Sequence, residues 1–284
     1  MFAPGRVAWA QDEEDEDDES AEEASGDESE EEASEEEGSE EESTESEGEE
    51  SEEAPDGGRW PRAVIARPLT LPKGLIRLGA ALTANNDFSV LSLGLDAGYG
   101  VSDDLEVRLG YTFGLKPSET KGNLSFGAGY KVIRGGAGGK LEVIGRGATG
   151  YSALLEQVTP LVLGAQVQYN ISDKLAVVAP GEQLVISLAE TAGVRPIFLR
   201  LPVGVGFQAT PEAYLEVSTN IANVEIADST TAFIFADATP ISLTATYNAI
   251  PQLDVYAGIS TDLTNEPGDA LSFTFGANYY MGSL

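Results

Sequence analysis

YGVSDDLEVRLGYTFGL, residues 99–115, decides how this chain is read. From Leu105 onward the residues fall into two alternating sets. Leu105, Val107, Leu109, Tyr111, Phe113 and Leu115 are apolar; Glu106, Arg108, Gly110, Thr112 and Gly114 are polar or small. A period of two is the signature of a strand with one apolar face and one polar face. The same alternation returns at 161–171, where Leu161, Leu163, Ala165, Val167, Tyr169 and Ile171 oppose Val162, Gly164, Gln166, Gln168 and Asn170. It returns again at 241–249, with Ile241, Leu243, Ala245, Tyr247 and Ala249 against Ser242, Thr244, Thr246 and Asn248.

Working outward, the pattern predicts twelve strands: 74–83, 89–101, 105–115, 122–134, 140–151, 159–171, 174–188, 195–209, 212–224, 239–250, 253–262 and 270–281. Most exceed the usual ~5–6 residues of a soluble strand and match the ~9–11 of a tilted strand that crosses a bilayer. The links alternate as well. Tight turns are expected at Ser102-Asp103-Asp104, at 135–139, at Ser172-Asp173, at Thr210-Pro211-Glu212 and at Pro251-Gln252. Longer links fall at 84–88, 116–121, 152–158, 189–194, 225–238 and 263–269. Short turns on one side and long loops on the other is the pattern of an up-and-down transmembrane β-barrel. Within 174–188 the apolar phase inverts around Pro180-Gly181. A one-residue bulge would cause that, as would a turn between two short strands.

Aromatic placement supports the membrane. Each even-numbered strand carries an outward ring just before its short turn or the chain end: Tyr99, Tyr130, Tyr169, Phe207, Tyr247 and Tyr279. These six form one expected interface belt; Tyr111, Phe113, Phe126 and Tyr151 lie near the opposite ends. The recurrent aromatic-x-apolar-turn-Leu-x-Val unit, YGVSDDLEV at 99–107 and YNISDKLAV at 169–177, resembles the hairpins of bacterial outer-membrane β-barrel proteins. The lead-in Arg67 to Gly74 is similar to the approach to their first strand. The resemblance covers about 75–281 and names an architectural class. It implies a Gram-negative outer membrane, a lipid bilayer around the wall, insertion by the barrel assembly machinery, and short turns in the periplasm. An even strand count would then put both chain ends there. The chain departs from the class at its last residues, Tyr279 to Leu284, which lack a terminal aromatic.

Composition divides the chain. Its net charge is −32, but 28 of its 48 acidic residues lie between Asp12 and Asp56, with no Lys or Arg among them. Residues 11–57 have nothing large and apolar to bury and are expected to be a disordered polyacidic tail. It would serve as a solvated spacer, or would attract cations or basic partners. Residues 1–10, ending Ala8-Trp9-Ala10, are expected to be the remnant of an export signal peptide; 58–73 would be an extended lead-in and 74–284 the barrel.

There are no cysteines and no histidines. Thiol nucleophiles, the commonest general base and the commonest metal ligands are therefore missing, and no catalytic residue, metal, cofactor or nucleic-acid partner is expected. By strand parity the inward charges are Arg77, Asp96, Glu106, Arg108, Lys131, Glu142, Arg146, Arg200, Glu216 and Asp254, five acidic and five basic, with Tyr256 also lining the lumen. Such a belt would be a polar constriction that sorts solutes, or an ion-pair network that fills the interior. Inward glycines such as Gly94, Gly110 and Gly127 leave room. The expected function is a passive, porin-like channel for small hydrophilic solutes with weak charge selectivity. The alternative is a closed structural or binding barrel acting through its loops or its tail.

Overall fold

The computed structural model describes residues 60–116, 122–153, 156–188, 195–226, 234–235, 239–264 and 270–282, with the backbone alone at 234–235. The expected export remnant and acidic tail lie outside these residues, as do 117–121, 189–194 and 265–269 within the long links.

Among the described residues twelve antiparallel strands form one wall. They are β1 (Ile76–Asn85), β2 (Leu91–Gly100), β3 (Leu105–Lys116), β4 (Asn123–Gly136), β5 (Leu141–Ser152), β6 (Leu161–Asn170), β7 (Leu175–Ala179 resuming at Leu184–Ile186), β8 (Ile197–Gln208), β9 (Ala213–Ile226), β10 (Pro240–Ile250), β11 (Leu253–Asp262) and β12 (Ser272–Met281). Each pairs with its sequence neighbours, and β1 pairs with β12 from Ile76↔Met281 to Asn85↔Ser272, which closes the barrel. Closure leaves no free edge, so the backbone groups of the wall are satisfied by the neighbouring strands. Two-residue ladders extend β5 at Gln157–Val158 and β9 at Ile234–Phe235.

Three tight turns share one local device. Ser102 Oγ accepts the N–H groups of Asp104 and Leu105, Ser172 Oγ those of Lys174 and Leu175, and Thr210 Oγ1 those of Glu212 and Ala213. A hydroxyl at the first turn position offers the backbone a partner and fixes where the hairpin reverses.

The phase inversion inside β7 is a bulge. From Ala179 to Leu184 the strand advances five residues while β6 advances four, Val167 to Leu163. Both halves keep the same neighbours, β6 and β8. Pro180 cannot donate to the ladder. The side chain of Gln183 repairs the gap: its Nε2 donates to Ala165 O at 2.8 Å and its Oε1 accepts Ala165 N–H at 2.7 Å.

The apolar set faces out. Leu78, Leu95, Leu109, Val205, Leu243 and Phe275 are all 43% exposed or more, which inverts the usual soluble arrangement and suits a lipid-facing wall. The buried residues gather in the turn-side half and in the segment before β1.

Candidate functional site: the lumen and its turn-side mouth

The segment read as an extended lead-in, 58–73, does not simply approach β1. Its described part enters the turn-side mouth, turns once through a 3-10 helix at Val64–Ala66, and leaves by a tight turn at Pro72–Gly74. Gly74 has φ +83°, the left-handed conformation that lets Leu75 N–H reach Pro72 O. Nothing in the strand pattern foretells this path, because parity reads strands alone and the segment has no period.

The wall holds it with polar groups from several strands. Arg67 forms a two-pronged ion pair with Asp254, which also accepts Asn248 Nδ2 at 2.9 Å. Arg67 and Asp254 are 8% and 1% exposed. Its guanidinium lies 5.4 Å from the centre of the Trp60 ring and 5.6 Å from that of Tyr280. Glu142 accepts Leu69 N–H and Glu106 accepts Leu71 N–H, each at 3.1 Å. Gln208 accepts Ile65 N–H at 3.1 Å, and Gln168 donates to Ile65 O at 2.8 Å. At the rim Arg62 reaches Asn248 Oδ1 at 2.9 Å and Glu212 at 3.1 Å. Ile65 packs with Ala176, Val178 and Tyr214, while Trp60, Leu71 and Leu75 pack with Tyr280.

The inward charges of the same layer are joined to one another. Glu106, 1% exposed, binds Arg108 at 2.6 Å and Arg146 at 3.1 Å. Gly129 leaves room beside the second contact. It stands between Glu106 and Arg146 in register, and a Cβ there would come within 3.1 Å of Glu106 Oε1. Arg77 pairs with Asp96, and Lys131 pairs with Glu142 at 2.7 Å. Glu216 accepts the hydroxyl of Tyr214 at 3.3 Å, and Tyr256 is buried at 9% exposure. Arg200 stands apart, with its guanidinium 5.8 Å from the Phe198 ring. Beside the lead-in remains a cavity of about 380 Å³, lined by Pro68, Lys131, Glu142, Gln168 and Asn170 among others.

Beyond this layer the inner wall changes character. Thr83, Ser92, Thr112, Ser242 and Thr274 are small, polar and not buried. Hydroxyl pairs such as Ser260 with Ser272 at 2.7 Å decorate it. On the outer wall Tyr99, Tyr130, Tyr169, Phe207, Tyr247 and Tyr279 are 39–57% exposed. Their register partners, such as Leu105 for Tyr130 and Leu253 for Tyr279, begin the following or preceding strands, so the six rings share the turn-side height.

Sequence parity alone did not single out Arg67, Asn248, Gln208 or Gln168 as a group. Trp60, Ile65 and Leu71, isolated apolar residues in a non-periodic stretch, were the available signal. Among the described residues no group of three or more acidic side chains is placed to hold a metal.

No family model and no curated protein matches the chain. Among solved structures it is similar to the NanC porin, with a TM-score of 0.51 and 9% identity over 74% of this chain and 100% of that one. It is also similar to the KdgM porin, with a TM-score of 0.48 and 9% identity over 72% and 98%, and to Omp33 of Acinetobacter baumannii, with 0.41 and 10% over 74% and 99%. At such identities the likeness carries fold and no more: the chain folds as a closed, twelve-stranded antiparallel β-barrel, similar in architecture to the NanC porin.

Proposed function

We propose that the barrel is a passive channel for small hydrophilic solutes with weak charge selectivity, narrowed at one mouth by its own lead-in. One observation carries this reading. Thr83, Ser92, Thr112, Ser242 and Thr274 keep part of their surface exposed along the loop-side half, whereas the buried charged side chains gather where the lead-in sits. A wall of Thr, Ser and Gly offers hydrogen bonds without fixed charge, which suits small polar solutes of either sign. In the charged layer cations and carboxylates are paired, so its net field is small.

In this reading the turns, the lead-in and the acidic tail lie in the periplasm, and the barrel assembly machinery inserts the chain. The tail acts as a spacer there, or holds cations or basic partners. The lead-in itself favours a second reading, a closed barrel acting through its loops or tail, because the segment crosses the mouth and is gripped by residues of β3, β5, β6, β8 and β11.

Single-channel recording in a planar bilayer, repeated in a salt gradient, separates the two. Discrete small openings with a reversal potential near zero are expected. Silence from protein whose heat-dependent gel shift proves it folded would sink the channel and leave the closed barrel.

A further inference from the structure

The wall treats the lead-in as a ligand. Three prolines, Pro61, Pro68 and Pro72, keep this segment from joining the sheet as a ladder strand. Its main chain is instead read by side chains. Leu69 and Leu71, two residues apart, donate their N–H groups to Glu142 and Glu106. Such contacts fit any extended peptide, since every non-proline residue carries the same donor. Two other contacts are selective. Arg67 enters a pocket where Asp254 meets both arms of the guanidinium and Asn248 steadies the carboxylate. Ile65, two residues earlier and 4% exposed, fills an apolar recess between Ala176, Val178 and Tyr214.

We infer that the turn-side mouth is a binding site for a peptide that makes one 3-10 turn and bears an apolar residue two positions ahead of an arginine, and that residues 60–72 occupy it in cis. Tethering raises the effective concentration of the cis segment to about the millimolar range, so the site stays filled unless a partner draws the segment away or competes for it. The fork of the guanidinium matches the two carboxylate oxygens of Asp254, a match that lysine cannot make. The inference does not depend on whether the lumen conducts.

The test uses the full chain with a protease recognition sequence inserted between Lys73 and Gly74. Lys73 is exposed there, and Gly74 itself is kept. The folded protein is cut in detergent, and a fluorescein-labelled synthetic peptide of residues 59–73 is added. Anisotropy should report saturable binding as the label exchanges with the cut segment. The same peptide carrying Arg67→Ala should bind about a hundredfold more weakly, because the carboxylate left behind is buried without its partner. No binding to a cut barrel that keeps its heat-dependent gel shift would overturn the inference, as would equal binding of the two peptides.

A second measurement leaves the chain uncut. In a Trp9→Phe background Trp60 is the sole tryptophan, and it is 7% exposed. Asp254→Asn should raise its quenching by acrylamide several-fold. A Trp60 as shielded as in the parent would show that the arginine pocket does not hold the segment.

Discussion

Replacing Glu106 with glutamine tests the charged layer of the mouth most directly. The side chain keeps its volume and one acceptor oxygen but loses its charge. In the native barrel that carboxylate is 1% exposed and faces Arg108 at 2.6 Å, Arg146 at 3.1 Å and the N–H of Leu71 at 3.1 Å. The Arg108 and Arg146 side chains are themselves only 10% and 8% exposed, so water can do little to replace the lost charge. Removing one member of a buried ion pair typically costs roughly 3–5 kcal/mol. The 10% and 8% of side-chain surface that Arg108 and Arg146 keep exposed favours the lower end, about 3 kcal/mol. With a urea slope of ~1–3 kcal/mol per molar, the unfolding midpoint should fall by about 1–3 M.

The assay is reversible unfolding in detergent micelles or lipid vesicles, followed by the gel shift and by Trp60 emission. Arg146→Met added to the same chain should recover much of the loss, since it removes a buried charge that has no counter-ion. Asp87→Asn, on the exposed β1–β2 link, supplies a control expected to stay within about 0.5 kcal/mol. A Glu106→Gln midpoint within about 0.3 M of the parent, at unchanged slope, would refute the claim that this cluster is desolvated and holds the mouth together.

Two further outcomes are expected. Gln183→Ala removes both hydrogen bonds that mend the β7 bulge at Ala165, and should cost about 1–3 kcal/mol in the same titration because it strands backbone groups within the wall; an unchanged midpoint would mean that water or a shifted backbone mends the gap. The chain has no cysteine, so Ser89→Cys on a long link and Ser172→Cys in a tight turn each give a unique label site. On intact cells a membrane-impermeant maleimide should react with the first alone, and the reverse pattern would invert the proposed orientation.

The strands were legible because their signal is local. A period of two needs only a few neighbours to be read, and a closed barrel imposes it on every strand. The phase inversion in β7 was legible for the same reason, since Leu175, Val177 and Ala179 are out of phase with Leu184 and Ile186, but it fitted a turn between two short strands as well as a bulge, and only the shared neighbours decide. The repair of the bulge was not legible, since the amide of Gln183 reaches a backbone 18 residues away and leaves no pattern. Parity likewise picked out Glu106 and Arg146 as inward charges but not as partners. Their meeting runs across Gly129, which stands opposite both, and that is a fact of register across three strands. The lead-in was hidden most completely. Its anchors join residues 35 to 187 positions apart, and its contacts use backbone donors that every sequence shares.

The chemistry of these anchors bears on whether the mouth can open. A segment sealed by apolar contact alone would leave greasy wall facing water on departure, and each such residue would add to the cost of release. Here the deeper anchors are Glu106, Glu142, Asp254 and the amides of Gln168 and Gln208, groups that water can satisfy once the lead-in is gone. Hydrogen bonds exchanged for bonds to water change the free energy little, so the balance between filled and empty mouths rests mainly on Arg67 and on the recesses for Ile65 and Trp60. A site held this way binds tightly enough to stay filled by a tethered segment, yet can release it without stranding the wall. Polar anchoring thus favours a closure that reverses over one that is permanent.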